Sequence, residues 1–221
     1  MINSLREQVK KLSSVKRAKV NERFFKTGKG QYGEGDLFTG LTVPLDIQKL
    51  LESKIHEERL IALLILVENF DNGNERDQKK IFDFYLKSTK YVNNWDLVDS
   101  SADKIVGGYL ISRDRSILLK LAKSKSLWDK RIAMVATYQF IKIKKEYKDT
   151  FKVAVILLND QHDLIHKAVG WMLREVGKQI DQNKEEEFLK KHCKTMPRTM
   201  LRYAIERFDE KLRRKYLLGE I

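Results

Sequence analysis

Cysteine occurs once in this chain, at Cys193, which leaves no partner for an internal disulfide and no set of thiolates for a cysteine-based zinc site. Proline is nearly as scarce. Pro44 and Pro197 stand alone in 221 residues, far below the usual share of about 5%. Proline removes a backbone donor and clashes with the preceding turn, so its scarcity suits a chain that is helical almost throughout. No apolar run approaches the roughly 20 residues that a membrane span requires. The N-terminal residues lack a signal-peptide core, and the expected location is the cytoplasm. Strand-like alternation of apolar and polar residues is also missing.

What the chain has in surplus is positive charge. Lysine and arginine total 44 against 31 aspartates and glutamates, giving a formal charge of +13 and a pI near 9.6. That excess is the electrostatic footprint of a phosphate-backbone binder. A lysine-rich but otherwise ordinary surface, or attachment to an anionic membrane, would carry the same charge. Hydrophobic residues make up 42% of the chain, enough to bury a core, so the charge does not signal disorder.

Apolar residues recur at helical spacing along most of the sequence. Leu5, Val9, Leu12, Val20 and Phe24 suggest one or two opening helices, followed by a glycine-rich stretch at 28–36. After Pro44 the pattern resumes at Ile47, Leu50, Leu51 and Ile55 and runs through 60–67, until Asp71-Asn72-Gly73-Asn74 breaks it. Further helices are expected near 78–87, from Asn94 to about Leu110, and over 113–124, 128–144, 148–158, 162–178, 184–193, 197–207 and 209–217. Many short, evenly spaced helices favour a single domain over 1–221, an all-α α-solenoid of HEAT-like repeats with a concave basic face, over a compact bundle.

Gly28-x-Gly30-x-x-Gly33 matches the dinucleotide fingerprint in form. That motif needs a preceding strand, and here a helix precedes it, so an inter-helix loop is the better reading. His162 and His166 have the i, i+4 spacing of a metal pair but lack a glutamate between them and a third ligand. No metal or cofactor is expected. His162 near a helix start and a structural His166 fit better, and His56 and His192 read as exposed helix residues.

Asn93-Asn94-Trp95-Asp96-Leu97-Val98-Asp99 is more informative. Asn94 suits an N-cap, which puts Trp95 and Asp99 on one helical face with Asp96 and Asp103 near it. Alone, that pair reads more readily as a tryptophan and its hydrogen-bond partner in a core than as a functional pair. Two more tryptophans also sit beside charge. Trp128 is expected in the core with Arg131 one turn on, and Trp171 shares a stripe with Lys167, Arg174 and Lys178. Gly170 next to Trp171 leaves room for something to approach that helix. Pro197 fits a first helical turn, followed by Arg198 and Arg202 one turn apart. These two can reach phosphates or form a solvated charged face.

In order, 94–99, Leu127-Trp128-x-x-Arg131-Ile132-Ala133 and Lys167-Ala168-Val169-Gly170-Trp171-x-Leu173-Arg174-Glu175 resemble the AlkD family of DNA alkylation repair glycosylases. The resemblance runs from the glycine-rich loop to Arg207 and implies a HEAT-like solenoid gripping duplex DNA. It implies excision of cationic N3- and N7-alkylated purines without metal or cofactor, by a monomer in the bacterial cytoplasm or nucleoid. Asp99 matches the family's catalytic carboxylate, and Trp95 and Trp171 match its two aromatic residues at the lesion's deoxyribose. Arg131 matches its basic residue near the backbone, with Lys167, Arg174, Arg198 and Arg202 as further DNA contacts. Asn94 departs from members that carry another tryptophan there. Some relatives lack detectable glycosylase activity, so a non-catalytic protein binding damaged or branched DNA is the alternative, and a scaffold for an acidic protein partner is a third reading.

Overall fold

The computed structural model describes residues 47–221. The opening helices, the glycine-rich loop and Pro44 lie outside the described residues. No β-strand occurs among the described residues, and the all-α class read from the sequence is observed. No helix among them is long and apolar enough to cross a membrane. The chain divides into two compact units, with the boundary between Ser101 and Ala102.

The first unit contains α1 (Ile47–Leu51), α2 (His56–Asn72), α3 (Glu75–Lys87) and α4 (Trp95–Asp99). The central helix α2 buries Leu60, Ile61, Leu63, Leu66, Val67 and Phe70. Each such side chain removed from water is worth about 1.5–3 kcal/mol. The turn after α2 is tight: a Cβ on Gly73 would lie 2.7 Å from the Asn69 carbonyl oxygen. Asn74 then caps α3, its side chain accepting the Asp77 N–H at 3.1 Å. Phe82 and Tyr85 turn inward from α3.

The helix expected from Asn94 to Leu110 is interrupted. The α4 segment stops at Asp99, and the chain resumes as a π-helical turn over Asp103–Gly107 before α5 (Gly108–Leu110). Two serines cause the break. Both Ser100 and Ser101 hydroxyls donate back to the Leu97 carbonyl, at 3.2 and 2.5 Å, competing with the backbone ladder and bending the helix. Tyr85 holds the Ser101 hydroxyl from α3 at 2.9 Å.

The second unit continues with α6 (Ser116–Ala122), α7 (Leu127–Ala136), α8 (Lys148–Leu157), α9 (Asp163–Gln179), α10 (Gln182–His192), α11 (Arg198–Ala204) and α12 (Glu210–Leu218). A π-helical turn, Phe140–Lys144, follows α7 and ends at Lys145, whose φ of 56° is left-handed. From α6 to α11 each helix packs mainly on near neighbours in sequence, as stacked helical repeats require. The hub is α9, which touches α7, α8, α10 and α11. It buries Ile165, Ala168, Val169, Met172, Leu173 and Val176, the i, i+3, i+4, i+7 recurrence of an amphipathic helix.

Two close approaches fix α9. A Cβ on Gly170 would lie 2.5 Å from Tyr203 Cβ and against the Met200 carbonyl oxygen. The room beside Trp171 is therefore filled by α11, not left for a ligand. Further along, the Glu185 carboxyl of α10 lies against Gly177. Glu185 is 2% exposed, and burial pushes its pKa up to about 9, with Glu186 adding to the rise and Arg174 opposing it.

Candidate functional site

Trp95 and Asp99 are the first and last residues of α4, one helical turn apart, and both are half-buried. Asn94 starts the helix as expected, its side-chain oxygen accepting the Trp95 N–H at 2.8 Å. On the inner side Leu97 and Val98 are fully buried, so α4 is anchored by its middle while its ends carry the tryptophan and the carboxylate.

A buried polar chain completes that anchor. His56 Nε2 meets Asp96 Oδ2 at 2.6 Å. Arg59 Nη2 lies 3.3 Å from His56 Nδ1, and Arg59 Nη1 donates to the Ser53 carbonyl at 3.0 Å. A guanidinium has only donors, so Nδ1 must accept and the imidazole proton must sit on Nε2, donating to Asp96. Desolvation lowers the Arg59 pKa to about 10, partly offset by Asp96 and Glu57. The arginine therefore stays charged at neutral pH, with Asp96 as its counter-charge across His56. His56 is 0% exposed, which corrects its reading as a surface residue. Its partner lies forty positions away, and only the fold brings it there. The other expected surface histidine, His192, is half-buried and stacks on Phe188 with ring centres 4.6 Å apart.

In the second unit, Trp171 is half-buried on α9 with its ring centre 6.1 Å from that of Tyr138. Gln179 donates to the Tyr138 hydroxyl at 3.2 Å and to Glu175 at 2.7 Å. The tyrosine beside Trp171 is thus tied to the same helix two turns on, a contact that no local sequence signal announces. One turn before Trp171, Lys167 pairs with Asp163 at 2.7 Å. That hydrogen bond raises the lysine pKa and lowers that of Asp163, which also bonds Thr199 of α11. Arg131 and Tyr203 lie within electrostatic reach of Lys167.

The remaining basic residues are more engaged than the sequence suggests. Arg131 is only 5% exposed and donates to the Leu164 carbonyl at 2.6 Å, joining α7 to the start of α9. Arg174 bonds Glu206 and lies 3.7 Å from Glu175. Arg198 is exposed and donates to the Leu217 carbonyl at 3.0 Å, while Arg202 is exposed on the same helix. Trp128 is half-buried, not enclosed in the core. His162 caps α9 by accepting the Leu164 N–H at 3.1 Å, and His166 Nε2 meets the Asp160 carbonyl at 2.5 Å. Both imidazoles are thus structural. Among the described residues no cluster of three or more His, Cys, Asp or Glu could hold a metal ion.

A family model described as DNA alkylation repair enzyme matches residues 45–208. A search of curated proteins returns no match. Among solved structures, one described as a predicted DNA alkylation repair enzyme from Enterococcus faecalis is similar at a TM-score of 0.58 and 17% identity, covering 75% of each chain. At that identity the likeness shows a shared fold. With the family model spanning most of the sequence, including Trp95, Asp99, Arg131 and Trp171, the chain belongs to the DNA alkylation repair enzyme family.

Proposed function

We propose that the chain is a monofunctional DNA glycosylase that hydrolyses the bond between deoxyribose and a cationic N3- or N7-alkylated purine, such as 3-methyladenine or 7-methylguanine. It acts on duplex DNA as a monomer in the cytoplasm. The observation that carries the reading is the mounting of Trp95 and Asp99 one turn apart on α4, a short helix pinned by the Asp96–His56 bond.

An alkylated purine already bears positive charge, so it leaves without a general acid. The water oxygen bonds to C1′, and the C1′–N bond breaks with its electron pair returning to the purine ring. The water's proton is lost to Asp99 or to solvent. The barrier lies in the cationic sugar formed on the way. A fixed carboxylate at about 4 Å offsets it by roughly 4 kcal/mol at an effective dielectric near 20. That equals about a thousandfold in rate, at 1.36 kcal/mol per factor of ten. Trp95, on the same helix as Asp99, offers a ring face to that charge, and we assign Trp171 the role of a second aromatic contact to the lesion's deoxyribose, each contact worth about 0.5–2 kcal/mol. Lys167, Arg174, Arg198 and Arg202 contribute positive field for the backbone, and Arg131, within electrostatic reach of Lys167, adds its charge.

The test is release of 7-methylguanine and 3-methyladenine from methylated duplex DNA by wild type and Asp99→Asn, with DNA affinity measured alongside. The variant should bind within about twofold of wild type and lose at least a hundredfold in release. Undiminished release by Asp99→Asn rejects the assignment. Tight binding by wild type without any release supports the non-catalytic alternative.

A further inference from the structure

On the side of the second unit formed by α8 and α10, an open groove of about 640 Å³ runs between the two helices, with Leu119 of α6 in its lining. It is comparable in size to clefts that take several side chains of a ligand. Its walls carry a row of four rings. Tyr147 packs on Phe151 at 5.0 Å, Phe151 on Phe188 at 4.8 Å, and Phe188 on His192 at 4.6 Å. Val155, in the same groove, is 48% exposed and extends the apolar surface of the ring row.

The rim is positive. Lys148, Lys152 and Lys191 line it against one carboxylate, Glu187. Lys184 neutralises that glutamate at 2.8 Å, and Lys152 is shared with Asp149 at 3.3 Å. Lys148 and Lys191 remain as the groove's excess charge, and the exposed Lys142, Lys144 and Lys145 lie just upstream of Tyr147 in the chain. An apolar trough with a cationic border complements a helix bearing one apolar stripe and acidic flanks. A nucleic-acid strand fits less well. The rings spend their faces on one another at tilts of 41–56°, whereas bases need open platforms.

We propose that the α8–α10 groove is a docking site for an acidic amphipathic helix of a partner protein, separate from the residues assigned to base excision. The partner's apolar residues at i, i+3, i+4 and i+7 would cover Val155 and the ring row, and its carboxylates would meet Lys148 and Lys191.

Fluorescence anisotropy on the full chain tests this with a labelled synthetic peptide of about sixteen residues, some four helical turns, bearing Leu and Phe at that spacing and Glu elsewhere. A scramble of the same composition controls for bulk charge, and an oligo-dT strand offers the nucleic-acid alternative. Wild type should prefer the patterned peptide at least tenfold over the scramble. Val155→Asp, an exposed site, and the Lys148→Glu/Lys191→Glu pair should each weaken it at least tenfold, with melting temperature and base release unchanged. Equal binding of peptide and scramble overturns the proposal, as does indifference to Val155→Asp. Tighter binding of oligo-dT, lost on Lys148→Glu, would replace it with a nucleic-acid site. The excision assay of the preceding section is independent, so either idea can fail alone.

Discussion

Replacing Glu185 by glutamine should make the protein more stable, and increasingly so as pH rises. Glu185 is a carboxylic acid with 2% exposure, and one of its oxygens, Oε1, has no hydrogen-bond partner among the described residues. Desolvation, with Glu186 close by, raises its pKa from 4.5 to about 9. The folded chain therefore holds a proton at neutral pH that the unfolded chain has released. Stability from this group is fully present below pH 4.5 and is lost as pH rises through the folded value. At pH 7 the loss is 2.5 pH units at 1.36 kcal/mol each, on the order of 3 kcal/mol. Glutamine keeps the shape of the protonated acid and cannot ionise. Urea unfolding of wild type and Glu185→Gln at pH 5, 7 and 8.5 reads the effect. The two should nearly coincide at pH 5 and separate by about 1.4 kcal/mol per unit above it. A stability difference that stays constant from pH 5 to 8.5 would refute the reasoning, because a packing effect does not titrate.

Other substitutions probe the same framework. Gly170→Ala places a methyl against Met200 and Tyr203 and should cost about 1–3 kcal/mol in urea unfolding; a neutral result would mean α9 and α11 separate easily. Asp96→Ala strips the counter-charge from buried Arg59 and the acceptor from His56. It should cost about 3–5 kcal/mol, with Asp96→Asn recovering part, and both are read by thermal melts at pH 7. Lys167→Ala should weaken DNA binding similarly for all sequences and reduce the salt slope, d log K/d log[salt], by about 1. An unchanged slope would place Lys167 away from the phosphates.

The legibility of these features varied with how local their causes are. Period alone places α9, because its buried residues Ile165, Val169, Met172 and Val176 repeat on one stripe, and the cap at Asn94 is read from residue type. The segment 94–110 keeps its apolar spacing straight through the break at Ser100 and Ser101, so periodicity misses it. The paired serines and the Gly107-Gly108 step were the available signal. His56 sits beside Glu57 and Glu58 and looks solvated, because the residue that justifies its burial is far off in sequence. Trp95 and Asp99 were legible as a pair on one helix face. That Arg131 would be spent on the Leu164 carbonyl was not, since hydrogen bonds to distant backbone leave no pattern in composition.

Gly170 also bears on how mutational scans of this chain would be read. An alanine or serine there would deplete activity while leaving Trp171 untouched, and a screen scored only on repair would mark the position as part of the substrate pocket. Its intolerance would come instead from the backbone of α11 pressed against it. Libraries built on this helix should therefore hold 170 as glycine.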